Sequence, residues 1–195
     1  MKNQISKLFA IALLLALAPL SVSTVYANPP PHPACPIKYK VGDRGPGGGF
    51  IFFVDYDDQY PGFTYLEAAP TDIAGVGWCD NLSTSPGTGG WSGKGVGKGL
   101  ANTIAMLGVC TSGAANEADS YLTATKSDWF LPSEGELMLM YTNLLQTGVG
   151  DFASKFYWSS TEVDSNSAWY QNFFNGFQNH TTKNNTLPVR AVRAF

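Results

Sequence analysis

Runs of apolar residues in the middle of the chain predict two strands and two short helices. The segment FIFFVD, residues 50–55, is a continuous apolar run of strand length, and FTYLEAA, residues 63–69, alternates enough to pair with it. LANTIAMLGVC, residues 100–110, has apolar residues at helical spacing, and AANEADSYL, residues 114–122, predicts a second short helix. Residues 80–99, which precede these helices, are rich in Gly, Ser and Thr, as is typical of a long surface loop.

A further helix is predicted after Ser133 by its start signal and its apolar stripe. Ser133 is followed three residues later by Glu136, which is the spacing of a capping box that satisfies two backbone amides. Gly148 stands just past the predicted end. The apolar residues in between recur at i, i+3, i+4, i+7 and i+8, on one face: Leu137, Met140, Tyr141, Leu144 and Leu145.

The C-terminal third alternates between strand segments and turn signals. FYWSS begins at residue 156, residues 163–167 form a turn cluster, and AWYQNFF occupies 168–174. Asn175-Gly176 predicts a two-residue type I′ turn, after which FQNHT returns and LPVRAVRAF, residues 187–195, ends the chain. These segments predict a meander of four strands, with core and cross-strand contacts from four aromatic residues: Trp158, Trp169, Phe173 and Phe177.

The elements together predict an α+β single domain with an antiparallel sheet, a C-terminal β-meander and two or three helices. The domain is expected to occupy residues 38–195. Residues 28–37, with five prolines, predict an extended linker in front of it.

The first 27 residues have the pattern of a secretory signal peptide. Lys2 and Lys7 precede an apolar run at 8–20, and Ala27 completes a small-residue cleavage site before Asn28. A retained N-terminal anchor is the alternative interpretation. We therefore expect an exported protein that is secreted, surface-located or periplasmic and that lacks a membrane span.

Charge and cysteine content narrow the function classes. Two of the 12 Lys and Arg residues lie in segment 1–27, so residues 28–195 carry 10 basic against 15 acidic side chains, which argues against a nucleic-acid partner. Three cysteines would enter an oxidising compartment. Cys79 and Cys110 are the expected disulfide because Cys35 lies in the Pro-rich segment. A pairing of Cys35 with either of them, or three free thiols, is the alternative.

The sequence offers little catalytic or metal-binding pattern. No serine lies in a G-x-S-x-G motif, and SGKGVGKG, residues 92–99, lacks the spacing of a phosphate-binding loop. The histidines are His32 and His180, and no Cys or His partner lies close to His180 in sequence. The acidic segment at 55–60 lacks the glycine of a calcium-binding loop. We therefore expect a protein that is not an enzyme, with no cofactor and no metal site.

Six segments in this order resemble the exported bacterial domain family named for the C-terminal domain of the Legionella collagen-like adhesin. They are VGDRGPGGGFIFFVD, YLEAAP, GKGLANTIAML, DWFLPSEGELMLMYTNL, YWSSTE with AWYQNFFNGFQN, and VRAVRAF. The resemblance covers residues 38–195. It implies a mixed α+β domain related to C-type-lectin-like folds, without an established enzymatic role; the adhesin that names the family binds sulfated glycosaminoglycans.

A binding module for a glycan or another cell-surface component is therefore the expected function. Alternation places Trp169, Gln171 and Phe173 on one side of their strand and Tyr170 with Asn172 on the other. We expect the heavier apolar side, with Trp169, to pack inward and Tyr170 to face a sugar ring. The candidate ligand-binding residues are Tyr170, Gln171, Asn172, Asn179 and Asn184, with Arg190 for an acidic sugar. A structural or protein-interaction domain with no small ligand is the alternative.

Arg190 and Arg193 are three residues apart, so on a regular strand they face opposite sides. One guanidinium must then approach the core, where it needs a carboxylate partner. We expect Arg193 to pair with one of three acidic residues in or just before the capped helix: Asp128, Glu134 or Glu136.

Overall fold

The computed structural model describes residues 37–195. The expected signal peptide, most of the Pro-rich linker and Cys35 lie outside these residues. Eight strands are found in the described part of the chain: β1 Phe50–Val54, β2 Tyr65–Ala68, β3 Ile73–Val76, β4 Phe156–Glu162, β5 Ser167–Asn172, β6 Gln178–Thr182, β7 Leu187–Val189 and β8 Val192–Ala194. The helices are α1 Gly90–Lys94, α2 Gly99–Leu107, α3 Ala114–Asp119 and α4 Glu134–Asn143, and a 3-10 turn follows at Leu145–Thr147.

The strands form antiparallel sheets with the orders β1-β2-β8, β3-β7 and β4-β5-β6. Strands β1 and β2 pair as predicted, and the α+β architecture agrees with the expected fold class. None of the helices within residues 37–195 has both the length and the apolar composition needed to cross a membrane.

The predicted four-strand meander is wrong in its last strand. Only β4, β5 and β6 form a meander, whereas residues 187–195 break into β7 and β8. Strand β7 pairs with β3, and β8 pairs with β2. Arg190 lies at the break between the two strands. Its side chain is buried there and donates to backbone carbonyls that are far away in sequence. Both partner strands come from the N-terminal half, so local turn signals could not indicate this pairing.

The connection between β5 and β6 is a five-residue loop and not a two-residue turn. Gly176 has a φ of +81°, but Asn175 does not have the positive φ that a type I′ turn requires. The loop is closed by Asn172 N–H donating to the Phe177 carbonyl at 2.9 Å and by Gly176 N–H donating to the Asn172 carbonyl at 2.8 Å. It buries Phe173 and exposes Phe177, which is therefore not the core residue that was predicted.

Helix α4 has the predicted capping box. Ser133 accepts from the Glu136 amide at 3.2 Å, and the Glu136 carboxylate accepts from the Ser133 amide at 2.8 Å. Gly135 lies in the first turn because a Cβ there would come within 2.8 Å of the Lys94 carbonyl oxygen. The predicted apolar stripe packs against β1, β2 and the β4–β5 hairpin, with Leu137, Met140 and Leu144 fully buried.

A second core cluster surrounds the predicted disulfide, which joins Cys79 to Cys110 in the structure. Helices α2 and α3 pack there beside Trp78 and Trp158, and the Trp158 indole donates to the Val76 carbonyl at 2.9 Å. This contact holds β4 onto the β3–β7 ribbon.

Candidate ligand-binding site

The two sides of the β4–β5 hairpin have different surroundings. Register places Tyr170 opposite both Trp158 of β4 and Asn179 of β6, so these three side chains share one side. Asn172, opposite Phe156, shares that side as well. Trp169 lies on the other side of the strand, opposite His180. The predicted grouping of Tyr170 and Asn172 on one side is therefore found in the structure, and Asn179 of β6 joins them there.

Tyr170 is less exposed than the sequence indicated. Its ring packs against Phe156 at a centroid distance of 5.1 Å, and it is half-buried against the core cluster that holds Trp158. Phe156 is 44% exposed and covers Tyr170 on the solvent side. The aromatic surface available to a ligand on this side is thus that of Phe156, with Tyr170 supporting it from behind.

A cleft of about 430 Å³ opens next to Phe156, between the β5–β6 loop, which is the tip of the β5–β6 hairpin, and the start of β7. It is lined by Ser154, Lys155, Phe156, Asn172, Phe174, Thr186, Leu187 and Pro188. Phe174, at 77% exposure, forms a second aromatic surface at its edge. We call this cavity the tip cleft. Its size is within the range of small-ligand sites, which are largely apolar with a few polar groups.

A second depression of about 510 Å³ continues the tip cleft around the start of β7. The two share Lys155, Thr186 and Pro188, and the second adds Asp72 and the β3 segment 73–75. An elongated ligand could therefore pass from the aromatic half to the polar half while staying in contact with Lys155.

Arg190 does not reach this surface, so its predicted role in binding an acidic sugar is wrong. Its guanidinium is fully buried and is paired with Asp72 at 2.6 Å. It also donates to the carbonyls of Ala69 and Gly150, at 3.0 and 2.8 Å. These contacts fix the floor beneath the cleft and leave the guanidinium no free donor face for a ligand.

Asp72 joins that floor to the hairpin. Its other carboxylate oxygen accepts from the Tyr157 hydroxyl at 2.6 Å, and burial together with this bond raises the pKa of Tyr157 well above its ordinary value. Both oxygens of Asp72 therefore have a protein partner, although the side chain remains 24% exposed.

The other residues that were predicted to bind the ligand lie in three separate places in the structure. Gln171 is buried and donates to the Gly176 carbonyl at 2.8 Å, so it supports the loop from inside. Asn179 is exposed on β6. Asn184 lines a separate cavity of about 390 Å³ next to Cys79 and Glu117. The structure thus brings only Asn172 of the predicted set into the tip cleft, with Tyr170 directly behind it.

Trp169 was predicted to belong to the core, but in the structure it is only half-buried. The Lys94 ammonium lies 3.8 Å from its ring centroid and also pairs with Glu134 at 3.0 Å. His180 packs edge-on against the same indole at 5.7 Å. Trp91, on the same short helix as Lys94, is 95% exposed. This side of the hairpin is a second aromatic surface.

The groups in residues 37–195 that could bind a metal ion or act as a nucleophile have structural roles instead. Cys79, Asp80 and Cys110 come close enough together to hold an ion, but both sulfurs are bonded to each other. Ser159 and Thr161 of β4 are buried and donate to the backbone carbonyls of Trp169 and Gly93. These hydroxyls therefore hold the hairpin and helix α1 in place.

Sequence reasoning missed most of the cleft lining. Phe156 begins β4 and Phe174 follows β5, and only the density of aromatic residues there pointed to them. Pro188 lies in β7 and Thr186 directly precedes it, and the position of β7 depended on the long-range pairing with β3.

Comparison with known proteins agrees with this architecture. A family described as the Lcl C-terminal domain matches residues 74–193. A crystal structure of a fimbrial protein from Bacteroides ovatus ATCC 8483 has a TM-score of 0.52 at 16% identity, over 75% of this chain and 44% of that chain. The chain thus spans less than half of the fimbrial protein, and the similarity concerns the fold. Among curated proteins, none matches.

Proposed function

Because the chain belongs to the Lcl C-terminal domain family, we propose that it is an exported, non-catalytic binding module whose tip cleft holds a glycan of an extracellular or cell-surface partner. The family and the fold support an adhesin-like surface module. The glycan and the position of its site are inferred from the chemistry of the cleft.

The exposure of Phe156 and Phe174 on either side of a concave, mostly apolar cavity is the observation that carries this proposal. Exposing an aromatic side chain forgoes about 2 kcal/mol of burial energy, so two of them at one cavity indicate a surface that is covered when a partner binds. A pyranose presents apolar C–H groups on one face and hydroxyls around its edge. The two rings suit the face, and polar side chains suit the edge: Asn172, Ser154, Thr186 and Lys155.

The lining of the cleft supports hydrogen bonding to a ligand more than acid–base chemistry. Asp72, the carboxylate that lines the second depression, is engaged by Arg190 and Tyr157. A general acid or base must be within hydrogen-bond reach of the reacting group and free to exchange a proton. We therefore propose recognition without turnover.

The test uses the protein lacking residues 1–27 on a glycan array, with Phe174→Ala and Phe177→Ala as a matched pair. Both phenylalanines belong to the β5–β6 loop and are exposed to 77% and 73%, but only Phe174 lines the cleft. We expect the wild-type protein and Phe177→Ala to bind the same glycans, and Phe174→Ala to lose at least about tenfold in affinity, or about 1.4 kcal/mol. Equal losses in both variants, or no glycan bound by the wild-type protein, would contradict the proposal.

A protein-interaction domain without a small ligand is the second candidate, and Trp91 is the observation that favours it. This indole is 95% exposed on helix α1, away from the residues that line the cleft, and tryptophan is enriched among the residues that dominate protein interfaces. Binding of the labelled protein to intact cells that is lost in Trp91→Ala and kept in Phe174→Ala would favour this function over the first.

A further inference from the structure

We infer that the ligand of the tip cleft is a sugar with a single carboxylate, and that Lys155 binds this carboxylate. The inference rests on the proposed function, since it names the class of glycan that the cleft accepts. It assigns to Lys155 the contact with an acidic group that Arg190, buried beneath the cleft, cannot make.

Lys155 is the one cation that lines both halves of the cavity. Its backbone is held on both sides, because its amide donates to the Ala153 carbonyl at 2.8 Å and its carbonyl accepts from the Phe173 amide at 2.9 Å. The side chain is exposed and takes part in none of the ion pairs found within residues 37–195. Its position is thus fixed by the hairpin while its charge is free to meet a ligand.

The other charges at the cleft cancel. Asp72 brings one negative charge to the second depression, but Arg190 neutralises it through a pair at 2.6 Å, and Tyr157 donates to its second oxygen. The three charges of Lys155, Asp72 and Arg190 therefore sum to one positive charge. A single carboxylate matches this sum, and it would form a charge-assisted hydrogen bond with the ammonium.

Among the residues that line the two cavities, Lys155 is the one cation, so a polyanionic glycan would find no row of cations there. Lys183, Arg190 and Arg193 are buried in ion pairs, and Lys94 is paired with Glu134. Since residues 28–195 carry 10 basic against 15 acidic side chains, the surface around the cleft gives a chain of sulfates little long-range attraction. The charge distribution favours one acidic group at one position.

The test compares neutral, singly carboxylated and polysulfated glycans on one array, followed by titration with a glucuronide and the glucoside that differs from it only at C6. The variants are Lys155→Gln and, as the matched control, Lys98→Gln, which removes an exposed lysine outside the cleft. We expect the wild-type protein and Lys98→Gln to prefer carboxylated glycans about tenfold over their neutral counterparts. In Lys155→Gln this preference should disappear while binding of the neutral counterparts stays.

The other possible results separate a failure of the Lys155 inference from a failure of the proposed function. Neutral and carboxylated glycans bound equally well, or a preference that survives in Lys155→Gln, would overturn the inference and leave the proposed function standing. Strongest binding to polysulfated glycans, with a steep loss as NaCl is raised, would also overturn it. If no glycan class binds, the proposed function itself fails.

Discussion

Arg193 shows how one buried guanidinium links three segments that are far apart in sequence. It donates to Asp128, one of the three acidic partners that were predicted, at 2.8 and 2.7 Å, and to Glu67 at 3.2 Å. Glu67 in turn accepts from the amides of Gly47 and Gly49, at 3.0 and 2.7 Å. The bond to Arg193 holds the pKa of Asp128 below its ordinary range. The Arg193–Glu67 ion pair, with the two amides that donate to Glu67, therefore joins β8, β2 and the turn before β1.

We predict that Arg193→Ala lowers the free energy of unfolding by about 3–5 kcal/mol, because it leaves the buried Glu67 without a counter-charge. Asp128→Asn should cost less, since that side chain is 53% exposed and water can replace the lost bond. Urea denaturation at pH 7 measures both changes. Equal losses in the two variants would show that burial of Glu67 is not the cause.

Glu136 gives a stability that depends on pH. Its carboxylate is buried beneath the start of α4, where it also accepts from the Gly97 amide at 2.8 Å, and burial raises its pKa from 4.5 to about 7. A raised pKa means that the folded protein binds this proton more tightly than the unfolded chain. The stabilisation is thus fully present below pH 4.5 and is lost as the pH rises through 7.

We predict that the free energy of unfolding falls by about 2–3 kcal/mol between pH 5 and pH 8, because the pKa of Glu136 is raised from 4.5 to about 7 in the folded protein. Glu136→Gln should flatten this part of the curve, although it lowers stability at every pH because an amide cannot accept both bonds that the carboxylate accepts from Ser133 and Gly97. Denaturant titrations across this range test it. Asp80, Asp128 and Asp164 have lowered pKa values and affect stability only at more acidic pH. A wild-type profile that rises with pH would contradict the assignment.

Among the elements, those defined by nearby residues could be predicted and those defined by distant partners could not. Helix α4 was predictable because Ser133 and Glu136 are three residues apart. The break of the last segment into β7 and β8 was not, because their partners are β3 and β2. The burial of Arg190 depends on Asp72, 118 positions away. The cleft could not be predicted either, because one of its walls is formed by β7, which is placed by its distant partner β3.

The loop between β5 and β6 requires glycine at 176 for two separable reasons. Its φ of +81° strains any other residue, and a Cβ would meet the Tyr141 ring at 2.5 Å. Gly48 has a similar φ of +83° with nothing within 4 Å of its would-be Cβ. We predict that Gly48→Ala costs about 1–2 kcal/mol from backbone strain alone and that Gly176→Ala costs clearly more in thermal denaturation. Similar costs would mean that Tyr141 moves aside freely.

At the scale of the whole molecule, the disulfide cross-links the core cluster on which Leu187 of the cleft also packs. The disulfide joins the segment after β3 to the end of α2 across 31 positions. It encloses the glycine-rich loop and helix α1, and therefore Trp91 and Lys94. None of the residues that line the tip cleft lies within the loop that it closes. The cleft and the cross-linked loop thus use separate parts of the sequence.

Peptide mapping without reduction should find Cys79 linked to Cys110 and Cys35 open to alkylation. We predict that Cys79→Ala with Cys110→Ala lowers the free energy of unfolding by about 3–4 kcal/mol, because the unfolded chain regains the freedom of the loop. Below the melting temperature of this double variant, glycan affinity should remain within about twofold of wild type, since the Phe156–Phe174 surface is unchanged. Denaturation curves and array binding of the same preparation measure both quantities. A peptide link from Cys35 to Cys79 or Cys110 would refute the pairing, and a large loss of affinity in the folded variant would show that the cleft depends on the cross-linked half.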